Sequence, residues 1–236
     1  ASKVLRTVNS SFYSLRKPCG SINQAIVMLG LSAVKTLALG FSLVDNISKI
    51  ESQGFDLPTY WRRTLISGIA AKCIAVEAKV GNDEECFLGG LLQDVGVVAF
   101  FVALGEEYTA VMAEAKGDHS QLGKHELSVF GLSHAELGAH LATRWKLPLE
   151  LIMPIRYHER PTASPPEHLR IVQAVALGNI AAEVIGSPEP AVALKRFYQR
   201  ADQWFKLNEP QADEVIKKAA ASAKEIGRLL SVDIGT

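Results

Sequence analysis

The sequence has no excess of charge of either sign and contains few cysteines. Among its 236 residues, 25 basic side chains balance 25 acidic ones, so no net field draws the whole chain to nucleic acid or to anionic lipid. The three cysteines, Cys19, Cys73 and Cys86, are odd in number and lack the two-residue spacing of a zinc knuckle. We therefore expect reduced thiols, with neither a disulfide framework nor a cysteine-bound metal.

Long apolar runs and a signal peptide are also missing. The longest candidate for a membrane span, residues 26–44, is interrupted by Gly30 and Lys35, and the apolar run 95–104 is about half of the ~20 residues that a spanning helix needs. Hydrophobic residues still make up 48% of the chain, enough for a sizeable core. These features predict buried helices, no membrane contact and a cytoplasmic location.

No stretch alternates convincingly with period two, whereas signals for helix ends are frequent. Ser21, Asn82 and Ser133 each stand three residues before Gln or Glu, which is the pattern of a capping box. Prolines precede several periodic apolar stretches, and glycines follow them. We predict an all-α protein with helices near 1–9, 21–29, 32–50, 58–80, 83–93, 95–116, 120–129, 133–145, 148–158, 166–185, 189–206 and 210–230.

Motifs for several kinds of chemistry are absent. No serine, cysteine or threonine nucleophile stands in a recognisable elbow, and no glycine-rich phosphate loop is present. The Gly89-Gly90 doublet inside a predicted helix indicates a close contact between helices. His119, His125 and His168 lie in polar contexts, so we expect them to be solvated.

A family resemblance is carried by five segments in a fixed order: LRTVNSSFY at 5–13, INQAIVMLG at 22–30, Trp61 with Thr64, LLQDVG at 91–96, and GLSHAELGA at 131–139 followed by WKLP at 145–148. Together they resemble the HDOD domain over about residues 3–186. The resemblance implies an HD-superfamily-like multi-helical bundle of the kind found in bacterial signalling and regulatory proteins. It also implies a relation to metal phosphohydrolases that mostly lacks their metal ligands.

The resemblance also implies a domain organisation. Residues 1–186 would form the HDOD domain, with an N-terminal helical part at 1–56 and an HD-like core at 57–186. Residues 187–236 would form a helical extension packed on the same domain. The chain opens without a methionine or a cap, so we expect it to begin inside a helix, with residues missing upstream.

The four core metal-ligand positions of HD enzymes can be compared with this sequence one at a time. Arg63 stands where the first histidine would be, and the His-Asp doublet becomes Gln93 and Asp94. The closing aspartate is replaced by Asn179. A neutral amide is a poor ligand for zinc, iron or manganese, and Arg63 keeps its proton and competes for Asp94. We therefore predict an Arg63–Asp94 ion pair, no bound metal or other cofactor, and no catalytic residue.

Two histidines of the larger HD enzymes persist at His134 and His158. The resemblance thus implies a vestigial HD pocket lined by Arg63, Gln93, Asp94, His134, His158 and Asn179. The function expected from it is that of a non-catalytic signalling or regulatory module, a cytoplasmic adaptor or sensor. Such a module would bind a protein or a small anionic, nucleotide-like ligand.

Two alternatives stay open at the level of sequence. The first is a metal-dependent phosphohydrolase with a reduced ligand set, which needs Asp94, His134 and His158 to converge on one ion. The second is a structural helical scaffold or dimerisation domain. The expected partners are signalling proteins or flanking signalling domains, and nothing indicates nucleic acid.

Overall fold

The computed structural model describes residues 2–31 except 11, 14 and 16, then 33–35, 37–38, 42, 54–115, 119–230, 232 and 234. Every regular element within these ranges is helical, which confirms the predicted all-α fold. The predicted helix at 32–50 falls largely outside the described residues. The α-helices are α1 Ser2–Val8, α2 Ile22–Leu29, α3 Leu57–Glu77, α4 Asp83–Leu92, α5 Val95–Leu104, α6 Glu106–Glu114, α7 His119–Phe130, α8 His134–Arg144, α9 Leu149–Tyr157, α10 Leu169–Gly186, α11 Ala191–Phe205 and α12 Glu209–Leu230, with short 3₁₀ turns at Pro161–Ala163 and Pro166–His168.

Helix α3 forms the centre of the main core, packed between α4, α10 and α12. Small residues let these helices approach one another closely. A Cβ placed on Gly90 of α4 would lie 2.8 Å from the Cα of Gly68 in α3, and one on Gly178 of α10 would lie 2.6 Å from the Ser67 carbonyl oxygen. The close helix contact predicted for the Gly89-Gly90 doublet is therefore confirmed.

A second, more aromatic core lies under helices α5 to α7, beside the N-terminal end of α3. Phe55 stacks on Phe101 with ring centroids 4.9 Å apart, and Phe100 stacks on Tyr108 at 5.1 Å. This second core also contains Trp61 and Val95. Side chains from α3 and from the start of α5 thus share this core.

The helix ends agree only in part with the sequence signals. At Ser133 both hydrogen bonds of the capping box are present, and at Ser21 the hydroxyl accepts from the Gln24 amide. The prediction at Asn82 is wrong, because this residue adopts a left-handed conformation with φ 52° and its side chain makes no capping bond. The single helix predicted at 95–116 is also wrong, since it breaks at Gly105, where φ is 56°.

Two stretches are long and apolar enough to cross a membrane by length and composition alone, Asp83–Leu104 and Pro166–Gly186. In their most apolar windows, 78% and 56% of the residues are buried inside the protein. Core helices of soluble proteins have this composition too.

The C-terminal helices α11 and α12 share the main core with α3 and α10 through Phe197, Ala212 and neighbouring residues.

Candidate functional site

Four ionisable side chains from separate helix ends meet at one point. Asp94 precedes α5, His119 begins α7, His134 begins α8 and His158 follows α9. One donor atom from each lies within 4.8 Å of the others. Asp94, His134 and His158 are almost fully buried, and the His119 side chain is 16% exposed. We call these four residues the His-Asp cluster.

The Asp94 carboxylate lies at the centre of the cluster. Its Oδ1 is 3.1 Å from Nε2 of His119, 3.4 Å from Nε2 of His158 and 3.7 Å from Nε2 of His134. The Nε2 atoms of His134 and His158 are 3.4 Å apart. One carboxylate oxygen thus faces three imidazole nitrogens.

Glycines at the crossing of α5 and α8 bring these residues together. A Cβ on Gly96 would overlap the carbonyl of His134, and one on Gly138 would lie 3.2 Å from a methyl carbon of Val95. The start of α5 therefore rests directly on the first turn of α8. This contact places Asp94, two residues before Gly96, against the ring of His134.

Outer hydrogen bonds orient two of the imidazoles. Nδ1 of His134 lies 2.7 Å from Oε2 of Glu126, and the Glu126 carboxylate also accepts from the Tyr108 hydroxyl at 2.6 Å. Nδ1 of His158 lies 2.9 Å from the carbonyl oxygen of Ile155. A carbonyl or an ionised carboxylate can only accept, so both Nδ1 atoms carry protons. In the neutral rings, each Nε2 therefore presents a lone pair to the cluster.

The three altered core positions form a separate network next to the cluster. Arg63 Nε lies 3.4 Å from Oδ2 of Asp94, which confirms the predicted ion pair. The Arg63 guanidinium also donates to Oδ1 of Asn179, as does the Gln93 amide at 3.0 Å. Among the described residues, the buried Gln93 Oε1 has no hydrogen-bond partner. Arg63 and Gln93 are thus joined through Asn179 Oδ1. We call these three residues, which stand at positions that the resemblance compares with HD core ligands, the core network.

The charges of the cluster follow from burial and from these contacts. Burial alone would raise the pKa of Asp94, but His119, His158 and Arg63 hold it well below its ordinary value. Burial would lower the pKa of His134, yet the hydrogen bond to Glu126 and the nearby carboxylates raise it to about 9. Burial and the charge of Arg63 lower the pKa of His119. With no other cation bound, Asp94 is therefore ionised and His134 protonated at neutral pH.

The relation to HD enzymes implies a metal, and two sets of residues can be tested for it. The four core positions do not fit, because Arg63, Gln93 and Asn179 supply a cation and two amides that bond to each other. The His-Asp cluster does fit by donor type, since imidazole nitrogens and a carboxylate oxygen are ordinary ligands of first-row divalent ions. The prediction that no metal binds was drawn from the core positions alone, and it stays a prediction.

A cavity of about 650 Å³ opens beside the cluster, between α3, α7 and the C-terminal part of α10. Asp94, Arg63 and His119 line its inner end. The charged side chains on the wall also include Asp56, Arg62, Glu183, Glu189 and Arg196, with Arg196 ion-paired to Glu183.

The structure brings together all six residues predicted to line the vestigial pocket, although they divide between the core network and the His-Asp cluster. His119 was missed, and its predicted solvation is wrong because Asp94 and the cavity wall enclose it. The bond from His134 to Glu126 on α7 was missed as well.

Comparisons with known proteins identify the family of the chain. The family model of the HDOD domain matches residues 1–161. An uncharacterised protein of Treponema pallidum (strain Nichols) is 27% identical over 202 residues, which cover 82% of this chain and 37% of that protein. This chain therefore spans little more than a third of that relative.

Two solved structures share the fold. An HDOD domain protein of unknown function from Geobacter sulfurreducens has a TM-score of 0.70 and 26% identity, over 98% of this chain and 77% of that one. The MmoQ response regulator from Methylococcus capsulatus (strain Bath) has a TM-score of 0.58 and 26% identity, over 91% and 83% of the two chains. The chain belongs to the HDOD domain family and is an HD-like domain of the signalling type.

Proposed function

We propose that this chain is a non-catalytic, cytoplasmic signalling module that acts by binding. The observation that supports the proposal is the core network, in which Arg63 bonds to Asp94 and Asn179. The resemblance compares all three of these positions with core ligands of HD enzymes. A guanidinium cannot release its proton to become a ligand. A hydrolytic centre built on the core positions would have to displace this cation first.

The ligand we propose is a small anionic group, such as the phosphate of a nucleotide, held at the inner end of the cavity by Arg63. The Arg63 side chain is 18% exposed and lines that cavity. Guanidinium groups bind phosphate oxygens through paired N–H donors. Because carboxylates also line the wall of the cavity, we expect Arg63 alone to bind the anionic group. The rest of the ligand would contact the apolar and polar side chains of the cavity wall farther from Arg63.

Signalling proteins or flanking signalling domains are the partners that we propose for the module. The likeness to a response regulator supports this role. The chain also covers 37% of its Treponema relative, so that relative has further sequence beside the matched part. The function proposed is therefore that of a sensor or adaptor that reports ligand binding to attached or separate partners.

Ligand binding is tested by the melting temperature of the purified protein with a panel of phosphates and nucleotides. A binding anion should raise the melting temperature, and Arg63→Gln should remove the rise. Arg144→Gln is the matched control, because Arg144 is exposed at the end of α8 and does not line the cavity. If no compound shifts the wild-type protein, or if Arg63→Gln responds equally, the scaffold or dimerisation role is favoured.

A second candidate, a metal-dependent phosphohydrolase, is favoured by one observation. The three residues that such an enzyme requires, Asp94, His134 and His158, converge with donor atoms 3.4 to 3.7 Å apart. Hydrolysis of a simple phosphodiester in the presence of Mn²⁺ or Fe²⁺ would test it. Turnover that is lost in Asp94→Asn would replace the non-catalytic proposal.

A further inference from the structure

Most distances between the donor atoms of the His-Asp cluster are close to those of a tetrahedral metal site. Zinc binds imidazole nitrogen at about 2.0–2.1 Å, which places neighbouring ligands of a tetrahedron about 3.3–3.4 Å apart. Four of the six distances between the donor atoms are 3.1, 3.4, 3.4 and 3.7 Å, and the other two are no longer than 4.8 Å. Both of the longer distances involve His119, so a shift of that ring toward His134 and His158 would complete the tetrahedron.

The outer hydrogen bonds prepare the donors for a cation. Glu126 fixes the ring of His134, and the Ile155 carbonyl fixes that of His158, so that Nε2 of each neutral ring faces inward. Metal-bound histidines in proteins are held in the same way, by a carboxylate or carbonyl on the second nitrogen. Two inward lone pairs and a carboxylate oxygen repel one another unless a cation or protons lie among them.

The charges in contact with the cluster also leave room for a cation. Asp94, Glu126 and Glu159 bring three carboxylates, with Oε1 of Glu159 lying 3.8 Å from Nε2 of His134. Arg63 contacts Asp94 in this set and brings one positive charge. With neutral imidazoles, the group carries two net negative charges, which a divalent ion neutralises.

We propose that Asp94, His119, His134 and His158 bind one divalent first-row metal ion, such as Zn²⁺, beside the position of the HD core metal. Asp94 belongs to the core set, and His134 and His158 stand where the resemblance places histidines of the larger HD enzymes. His119, which the resemblance did not indicate, completes the set from the start of α7. Arg63 remains in its network with Asn179, because it bonds to Oδ2 of Asp94 while the imidazoles face Oδ1. The proposal goes beyond the binding function proposed above and does not depend on it.

The experiment is a metal titration of the full chain after removal of bound metal with a chelator. Co²⁺ gives visible absorption bands that are strong in tetrahedral sites, and Zn²⁺ binding is followed by calorimetry. We expect saturation at about one ion per chain, with displacement of Co²⁺ by Zn²⁺. Absence of saturable binding would overturn the proposal and show that protons alone balance the cluster.

Variants locate the ion. His119→Gln removes the most exposed ligand and should abolish the tetrahedral Co²⁺ spectrum, whereas His125→Gln should not, because His125 lies on the same helix outside the cluster. Glu126→Gln should weaken binding roughly 10–100-fold, as changes to outer-shell partners do. Equal binding by the wild type, His119→Gln and His125→Gln would show an adventitious ion only.

X-ray absorption of the Zn²⁺-loaded wild-type protein makes the test independent of how well any variant folds. The expected first shell contains imidazole nitrogen and one carboxylate oxygen at about 2.0–2.2 Å. Sulfur ligands, or a shell without imidazole, would overturn the assignment. The anion test above depends on Arg63 and this one on His119, so either proposal can fail without the other.

Discussion

Nε of Arg63 lies 3.4 Å from Oδ2 of Asp94. This ion pair connects α3 with the junction between α4 and α5. Asp94 is almost fully buried, and the Arg63 side chain is 18% exposed. The residue at the first core-ligand position thus pairs with the one core carboxylate that the sequence keeps. This pair separates the domain from HD enzymes whose carboxylate binds the core metal.

Removal of this carboxylate should be strongly destabilising. Asp94→Ala leaves the Arg63 guanidinium without its ionic partner in a mostly buried position, at a cost of about 3–5 kcal/mol. Asp83→Ala is the control, because Asp83 pairs with Lys72 at 3.6 Å while 43% exposed, and should cost about 1 kcal/mol or less. Denaturant unfolding measures both. Equal costs would mean that the Arg63–Asp94 pair contributes no more than an exposed one.

The contact between α5 and α8 predicts a large effect of one added methyl group. Gly96→Ala would force a Cβ into the His134 carbonyl, so the loss of stability should reach or exceed the about 1–3 kcal/mol typical of overpacking. Gly186→Ala should cause no loss, since nothing lies within 4 Å of its Cβ position. Thermal unfolding of the two variants provides the comparison. A tolerated alanine at position 96 would contradict the close approach described for these helices.

The capping box of α8 predicts a small dependence of stability on pH. The backbone N–H of Ser133 donates to Glu136 and lowers its pKa below the ordinary value of 4.5. A lowered carboxyl pKa contributes stability that is fully present above pH 4.5 and is lost as the pH falls through the value in the folded protein. Glu136 is partly exposed, so the contribution should be about 1 kcal/mol or less.

The measurement is the melting temperature of the wild type and of Glu136→Gln between pH 7 and pH 3. The wild-type advantage should be constant at neutral pH and should shrink as the pH falls below the ordinary carboxyl range. An advantage that grows toward acid pH would give the opposite sign and contradict the hydrogen bond to Ser133. Glu150→Gln, a change in the first turn of α9, is a suitable control.

The N-terminal segment is attached to α3 by a buried lysine. Nζ of Lys72 lies 3.9 Å from the ring centroid of Tyr13 and pairs with Glu84, which accepts from the Tyr13 hydroxyl at 2.8 Å. A double-mutant cycle of Lys72→Met and Tyr13→Leu should give a coupling free energy of about 0.5–2 kcal/mol. The exposed pair Glu214–Lys218 should couple by about 0.5 kcal/mol or less. A zero coupling for the buried pair would contradict the ring contact.

Most of the secondary structure was readable from the sequence, because local signals determine it. The capping box at Ser133 and the apolar periodicity fix helix positions through contacts within a few residues. Asn82 and Gly105 show where such signals fail. Asn82 has φ 52° and Gly105 has φ 56°, a backbone conformation that asparagine and glycine adopt more readily than other residues, and the pattern of capping and apolar residues does not indicate it.

The sequence by itself determined the all-α fold, the family and the altered core positions, including the pairing of Arg63 with Asp94. Only the tertiary structure decided that His119 joins Asp94, His134 and His158, and that Glu126 orients His134. The reason is physical. Helix periodicity relates residues three or four apart in the sequence. The meeting of four helix ends depends instead on how closely separate helices approach, which glycine contacts such as that of Gly96 with α8 determine.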